Sequence, residues 1–474
     1  MRVRIPLSAA LVCALASSAL AQRAAPDPLA LVDARYDRTA AVARAIWDFA
    51  ELGYQENRSS ALLQAELAKE GFRVSKGVAE IPTAFVAEWG SGGPVIGILA
   101  EFDALPGVSQ ADVAVRQSDG KPAAHACGHN LFGSGSVTAA IALSQWLKAT
   151  GTPGTVRLYG TPAEEGGSGK VYMVRAGLFR DVDFALHWHP DSINSAAAET
   201  SLANRSAKFR FKGKAAHAAG APAQGRSALD GVEAMNMMVN LMREHTTMDS
   251  RIHYVITKGG SAPNVVPEDA EVFYYVRHSQ TAEVEAMWKR LEDAARGVAL
   301  GTGTQVEWEI IHGNNPLLVN ETLAKVMDGK LRQVGGQVLT AEEKRFAGEI
   351  AKTLATPQPV ERAAVIEPYA KSLGYGSTDV GDVSWATPTV GLNTATWAPG
   401  TPAHSWQSAA ASGTTMGFKG AQLAAKAMTL MAIQLYTDPA LRQAAKAEFD
   451  ASRGPNYQYR SLLGDRKPPL DFRK

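Results

Sequence analysis

The stretch Val95-Ile96-Gly97-Ile98-Leu99-Ala100-Glu101-Phe102-Asp103 decides the fold. Its first six residues form a short continuous apolar run, which is typical of a strand buried on both faces of a sheet. Two carboxylates, Glu101 and Asp103, follow directly at the end of that run. Because open α/β sheets carry their sites at the carboxyl ends of strands, the stretch predicts a mostly parallel sheet with a functional site beside these carboxylates.

Helices and strands alternate on both sides of this strand. Helical spacing of apolar residues covers Val32 to Gly53 and Phe132 to Leu147. Short apolar runs at Thr155 to Tyr159 and Phe184 to Leu186 indicate further strands. This alternation predicts an α/β domain with helices covering the sheet, which we assign to residues 27–206 and 313–474. Within it, the polar segment 342–365 is predicted to be helical and exposed.

Residues 207–312 have a different pattern, in which strands and helices follow the order β-α-β-β-α-β. Polar and apolar residues alternate from Lys208 to Lys212, and helices are predicted from Leu229 to His245 and from Thr281 to Gly297. This order predicts a small ferredoxin-like α+β domain inserted into the larger one.

Length and charge bound the function classes. The chain has 474 residues, 48 basic and 47 acidic side chains, and a net charge of +1. These values are typical of a globular protein of two or three domains. They give no electrostatic reason to expect nucleic acid or a membrane surface as the partner.

The first 21 residues are predicted to be a secretory signal peptide. Arg2 and Arg4 precede an apolar run, and Ala19-Leu20-Ala21 fits a cleavage site. The run is much shorter than the ~20 residues that span a bilayer, so we expect an exported, periplasmic or secreted protein without a membrane anchor. After cleavage Cys127 is the only cysteine, and no internal disulfide can form.

The segment His125-Ala126-Cys127-Gly128-His129-Asn130 contains the first candidate metal ligands. A thiolate and an imidazole two residues apart can bind one metal ion or bridge two, and Gly128 lets the backbone turn so that both side chains converge. The pattern alone also fits a buried free thiol beside surface histidines. It does not fit a Cys-rich structural zinc site, which needs four donors.

Glu164-Glu165 follows the predicted strand at Thr155 to Tyr159. Neighbouring residues of extended backbone point in opposite directions, so a division of labour between one ligand and one base fits better than a shared metal ion. Read alone, the pair also fits a solvated turn. The glycines after it do not form a phosphate-binding loop, because Val171 replaces the Ser or Thr that such a loop needs after Lys170.

Three further histidines stand at predicted strand ends or loops of the same domain. His187 and His189 follow the strand at Phe184 to Leu186, and His404 lies in a late Gly/Pro-containing loop. Each of them alone fits a core or loop histidine. Their placement in one α/β domain, together with Cys127 and the glutamates, favours a common metal site.

The joint pattern of these motifs resembles a known family. The segments are EFDALP, HACGHN, PAEEGG, WHP, GKAAHAA and a late histidine. They resemble the amidohydrolase branch of the aminoacylase and glutamate carboxypeptidase metallopeptidases. Within that branch, GTPAEEGGSGK, STDVGDVSW and GTPAHSWQ look most like B subunits of aminobenzoyl-glutamate hydrolases. The resemblance covers essentially the whole chain after residue 21.

The resemblance implies a two-metal site and roles for individual residues. The implied ligands are Cys127, His129, Glu165, His404 and one of the pair His187/His189. Relatives with the WHP form favour His189, whereas a ligand three residues before proline would be His187. The other implied roles are as follows: Glu164 as general base, Asp103 as the residue that orients a ligand, His217 as an oxyanion donor reaching a partner subunit's site, and Asn264 and Arg277 as substrate-binding residues.

The implied reaction is hydrolysis of an amide bond in a small substrate with a free carboxylate. The inserted domain would act as a lid and dimerisation domain, in a homodimer or with a related partner subunit. Thiolate and imidazole donors suit zinc, while the oxygen donors leave manganese open. Two alternatives are a broad dipeptidase or carboxypeptidase and a non-catalytic binding subunit, although the latter would not need Glu164 and a full ligand set.

Overall fold

The computed structural model describes residues 25–196 and 198–473, so the predicted signal peptide lies outside the described residues. The strands are β1 Arg73–Lys76, β2 Phe85–Ser91, β3 Val95–Ala100, β4 Leu105–Pro106, β5 Ala123–Ala124, β6 Gly154–Gly160, β7 Phe184–Leu186, β8 His189–Asp191, β9 Ala198–Thr200, β10 Ala203–Lys212, β11 Arg251–Lys258, β12 Asp269–His278, β13 Gln305–Asn314, β14 Lys371–Leu373, β15 Thr389–Val390 and β16 Asn393–Ala395. The helices are α1 Pro28–Asp33, α2 Tyr36–Phe49, α3 Asn57–Lys69, α4 His129–Thr150, α5 Glu164–Gly167, α6 Gly169–Arg175, α7 Ala228–Met242, α8 Thr281–Thr302, α9 Glu321–Val334, α10 Ala341–Ala351, α11 Val380–Ala386, α12 Trp406–Ala411, α13 Thr415–Thr437 and α14 Pro439–Arg453.

The central sheet has six strands in the order β1-β2-β6-β3-β7-β15. β3 pairs in parallel with β6 and β7, and β15 pairs in parallel with β7, whereas β1 and β2 are antiparallel. Five of the six residues of β3 are buried, as the apolar run predicted. The predicted α/β class with a mostly parallel sheet is therefore confirmed.

Helix α4 holds the candidate ligand His129 at its first position. It packs between β3 and the helices α2 and α13, and its first sixteen residues are all buried. A helix that is apolar on every side belongs in the core of a protein. The amino end of α4 is thereby fixed next to the carboxyl end of β3, which places His129 beside Asp103.

Residues 203–314 form the second sheet, with the strand order β11-β12-β10-β13 and antiparallel pairing throughout. Together with α7 and α8, it has the β-α-β-β-α-β chain order and the strand order of a ferredoxin-like domain. Its apolar core includes Phe209, Tyr274 and Trp288 and is separate from the core of the central sheet. We refer to this unit as the lid.

The segment 342–365 is helical in part and mostly exposed, as predicted, but one face of its helix is buried. Glu343, Ala347 and Ile350 of α10 are buried. They lie against α13, where Lys419 Nζ is 2.6 Å from Glu343 Oε2, and Ala347 and Ile350 share a small core with Met416. Charged residues on the outer face of α10 give the segment its polar composition.

The chain after α14 runs back over both units. Leu462 is buried in the core of the lid, and Arg466 forms an ion pair with Glu309 of β13. Phe472 then packs edge-on against Tyr54 of the larger unit. Within the described residues, no helix is long and apolar enough to cross a bilayer.

Candidate active site and metal centre

Cys127 and His129 are presented by the turn that starts α4. Gly128, between them, has a φ of 76°, and a Cβ atom there would lie 2.7 Å from Pro190 Cβ. Only glycine fits this backbone and this close approach. The turn brings Cys127 Sγ to 3.5 Å from His189 Nε2.

Asp103 orients two neighbours at once. His129 Nδ1 donates to Asp103 Oδ1 at 2.9 Å, and the Glu165 amide donates to Asp103 Oδ2 at 2.9 Å. Burial alone would raise the pKa of Asp103, but the His129 imidazole outweighs it and lowers the pKa to about 2. Because Asp103 accepts the hydrogen bond from Nδ1, Nε2 is the ring atom that would bind a metal ion, as in other carboxylate–histidine pairs at metal sites.

His189 is oriented in the same way by a backbone carbonyl. Its Nδ1 donates to Pro190 O at 2.7 Å, so Nε2 carries the lone pair that faces Cys127. Burial and the neighbouring His129 lower the pKa of His189 to about 4, which keeps the ring neutral. A neutral imidazole is the form that binds a metal ion.

Glu164 and Glu165 lie in the distorted turn that follows β6. Ala163 and Gly166 have left-handed backbone, with φ of 57° and 88°. Glu165 Oε1 lies 3.1 Å from His404 Nε2. Burial, Glu101 and Glu165 raise the pKa of Glu164 well above its ordinary value. The structure thus gives the two glutamates different environments, while the assignment of Glu165 as ligand and Glu164 as base stays a prediction.

The donor atoms gather in three overlapping groups, and within each group the atoms lie within 4.8 Å of one another. Cys127, His129 and His189 form the first group, Cys127, Glu165 and His404 form the second, and Glu101, His129 and Glu164 form the third. The first two groups share Cys127 and together contain the predicted ligand set, with His189 as its fifth member. The third group brings Glu101 and Glu164 to His129, and His187 lies outside all three.

The chemistry of this donor set fits divalent metal ions. Burial and the Glu165 charge raise the pKa of the Cys127 thiol well above its ordinary value, so a thiolate here needs a cation beside it. His129 Nε2 and Glu165 Oε1 are buried and make no hydrogen bond of good geometry, although Glu101 Oε2 lies 3.0 Å from the first and His404 Nε2 lies 3.1 Å from the second. Unsatisfied buried donor atoms are costly, and a bound metal ion would satisfy them.

Glu101 stands at the strand end where the sequence predicts the site, but its two charged partners, Lys170 and Asp379, were not predicted as part of it. Glu101 Oε2 lies 3.0 Å from His129 Nε2, and Glu101 Oε1 lies 2.6 Å from Lys170 Nζ. Lys170 Nζ also lies 2.6 Å from Asp379 Oδ1, and the three side chains are at most 1% exposed. Although burial disfavours a charged lysine, Asp379 and Glu101 raise the pKa of Lys170. This buried cation balances carboxylates directly behind the donor groups.

Arg473, near the end of the chain, also reaches the site. Its Nη2 donates to the backbone carbonyl of Glu165 at 2.7 Å. This contact was not predicted, because nothing in the local sequence links residues 473 and 165.

The predicted lid residues divide into two sets. Arg277 of β12 is partly buried, and this burial lowers its pKa, although the nearby Tyr275 and Glu164 oppose the change. His217 and Asn264 are exposed and lie next to each other, with the Ala218 amide donating to Asn264 O at 3.0 Å. Among the described residues, neither belongs to the donor groups of this chain.

Comparisons with known proteins identify the family and the fold of the chain. Residues 97–371 match the model for peptidase family M20/M25/M40. The chain is 39% identical to the B subunit of p-aminobenzoyl-glutamate hydrolase from Escherichia coli, over 88% of this chain and 93% of that protein. It is 30% identical to the Xaa-Arg dipeptidase of mouse, over 88% of this chain and 90% of that protein. A dinuclear metal-binding peptidase of Bacillus subtilis has the same fold, with 18% identity and a TM-score of 0.58 over 85% of this chain and 99% of that one.

Proposed function

The chain belongs to peptidase family M20/M25/M40 as a metal-dependent amidohydrolase, and we propose that its substrate is an N-acyl or N-aminoacyl amino acid with a free carboxylate. The similarity to one subunit of an aminobenzoyl-glutamate hydrolase along almost the whole chain supports aminobenzoyl-glutamate-like conjugates as the first substrates to test. The observation that carries the proposal is the pair of donor groups sharing Cys127, with Glu164 beside them.

We propose that two divalent ions, manganese or zinc, are held by Cys127, His129, Glu165, His189 and His404. When bound, such ions polarise the amide carbonyl and lower the pKa of a water towards about 7. Elemental analysis of the purified protein should find about two ions per chain and would identify the metal.

The side chains of the protein then have separate tasks. Glu164 takes the proton from the attacking water and later gives it to the leaving nitrogen, a role worth about 10²–10⁴ in rate. We propose that Arg277 pairs with the substrate carboxylate; its Nε is buried without a hydrogen-bond partner, which supports this role.

We further propose that two chains form a dimer through the lid. β11 is an edge strand of the lid sheet, and its side chains Tyr254, Val255 and Ile256 are exposed. Met237 and Leu241 on the neighbouring helix α7 are 63% and 60% exposed. An exposed apolar edge strand is a template for pairing with another chain, and a second copy would cover it. The partner could also be a related subunit.

A dimer would let His217 act in the site of the partner subunit. His217→Ala and Glu164→Gln should each be inactive alone with metal content unchanged. After subunit exchange, hybrids contain one intact composite site, so random pairing should restore about a quarter of the wild-type turnover. Native mass spectrometry measures hybrid formation. Hybrids without activity would rule out a shared site.

Three substrate classes assayed side by side test the proposed function. N-acyl amino acids, aminobenzoyl-glutamate and dipeptides ending in arginine should be compared by kcat/KM before and after chelation. We expect the acyl conjugates to be preferred and chelation to abolish turnover. The similarity to an Xaa-Arg dipeptidase supports the dipeptides as the second candidate. Binding of all three classes without hydrolysis would instead indicate a non-catalytic subunit.

We also propose export of the protein to the periplasm or the medium after cleavage behind Ala21. Sequencing of the amino terminus of the mature protein should begin at Gln22. An unprocessed chain confined to the cytoplasmic fraction would contradict export.

A further inference from the structure

A cavity of about 290 Å³ adjoins the donor groups on the side of the larger unit. His189 and Glu101 line its inner end, and Glu199, Leu317 and Tyr375 line the rest. Because the same histidine belongs to the donor groups, a substrate at the metal centre can extend one end into this cavity.

Glu199 is the cavity residue whose carboxylate is not paired with any described side chain. It lies in the middle of β9, which pairs in parallel with β14. Among the described residues its carboxylate has no ion pair within 4.0 Å and no hydrogen bond, although it is only partly exposed. Burial and the nearby Asp191 carboxylate raise the pKa of Glu199, so its charged neighbourhood is negative rather than positive.

The other walls suit a flat apolar group. Phe132, Leu317 and Val380 supply apolar surface, and Tyr375, 56% exposed, stands at the cavity with an open aromatic ring. His187 also lines the cavity, and its Nε2 is buried without a hydrogen-bond partner. Burial lowers the pKa of His187 to about 3, so this ring brings no positive charge.

Charge decides which half of the substrate enters. A free carboxylate would be repelled by Glu199, whose charge has no cation beside it, whereas Lys170 balances the charge of Glu101. None of the described residues that line the cavity is a lysine or an arginine. The carboxylate end of the substrate can instead pair with Arg277 of the lid. The acyl half is therefore the one that fits the cavity.

Resting on the function proposed above, we infer that this cavity binds the acyl group and that Glu199 selects acyl groups carrying an amine or another hydrogen-bond donor at their far end. The donor would pair with the carboxylate in a charge-assisted hydrogen bond, while the ring of an aryl group contacts the apolar walls. Glu199 is thus a specificity-determining residue for the acyl half.

The test compares two substrates and several variants. Wild type, Glu199→Leu and Glu199→Gln are assayed with 4-aminobenzoyl-glutamate and benzoyl-glutamate. For each protein, kcat/KM for the amino substrate is divided by kcat/KM for benzoyl-glutamate. Dividing the wild-type ratio by the variant ratio then cancels the intrinsic reactivity of each amide. We expect the preference for the amino substrate to fall about tenfold in Glu199→Leu, mainly through KM, with benzoyl-glutamate unaffected. Glu361→Gln, on an exposed turn, is the matched control and should change neither value.

Reversing the charge of residue 199 should increase activity on a substrate of opposite charge, and a folding defect cannot cause such an increase. Glu199→Lys should raise kcat/KM for 4-carboxybenzoyl-glutamate above the wild-type value. An unchanged substrate ratio in Glu199→Leu, or an equal loss for both substrates, would overturn the inference.

A binding measurement distinguishes a failure of this inference from a failure of the proposed function. If wild type hydrolyses neither glutamate conjugate, the proposed function fails. Calorimetry on the metal-loaded protein then still tests Glu199, with 4-aminobenzoate and benzoate as ligands. We expect tighter binding of the amino compound in wild type and equal binding in Glu199→Leu. Equal affinities in wild type would overturn the role of Glu199.

Discussion

Replacing Lys170 by methionine tests whether the buried charges behind the donor groups support the fold. Lys170 Nζ lies 2.6 Å from both Glu101 Oε1 and Asp379 Oδ1, in a place without solvent access. Removing one partner of a buried ion pair costs about 3–5 kcal/mol, because the remaining charge stays buried. Burial already raises the pKa of Glu101 and of Asp379, so both can take up a proton and limit the cost. We therefore expect the free energy of unfolding to fall by about 3 kcal/mol at neutral pH.

Urea unfolding of the metal-free protein measures this loss. Lys352→Met is the matched control, because Lys352 Nζ lies 2.6 Å from Glu349 Oε1 in an exposed pair. Exposed pairs contribute about 0–1 kcal/mol. The deficit of Lys170→Met should shrink as the pH falls, since the orphaned carboxylates then become neutral. A loss equal to that of Lys352→Met, or one independent of pH, would refute the reasoning.

Three further outcomes are expected. In cobalt-substituted protein, Cys127→Ser should lose the thiolate-to-metal charge-transfer absorption; a spectrum like that of wild type would argue against ligation. Burial raises the pKa of Asp382 from 3.8 to about 7, so its contribution to stability is present below pH 4 and is lost as the pH rises through 7. Asp382→Asn should therefore flatten the dependence of unfolding free energy on pH over that range, by up to about 4 kcal/mol, in urea titrations at several pH values. Arg473→Met removes the hydrogen bond to the carbonyl of Glu165 and should lower kcat about tenfold with metal content unchanged; Lys467→Met, on the exposed part of the same tail, should have no effect.

The fold could be predicted because local patterns specify it. The apolar run before Glu101 is typical of a doubly buried strand, and β3 covers the same residues. The β-α-β-β-α-β order of elements in residues 207–312 likewise predicts the ferredoxin-like topology of the lid. Sequence signals within one element, such as the glycine between Cys127 and His129, also predicted the turn that brings both side chains together.

Features set by distant contacts could not be predicted. The buried ion pair joins residues 209 positions apart, and Lys170 in a Gly/Ser-rich segment looks like an exposed residue. The choice between His187 and His189 depends on where β7 ends. β8 starts at His189 and pairs with β16, which directs this ring to Cys127, while His187 packs against Gly391.

The most direct test of the account is the metal content and turnover of Glu164→Gln compared with Glu165→Gln. Glu164 is assigned to proton transfer and Glu165 to metal binding, although the two residues are adjacent. Glu164→Gln should keep about two ions per chain while turnover falls by about 10² or more. Glu165→Gln should lose metal. Full metal content in both variants, or wild-type turnover in Glu164→Gln, would contradict the account.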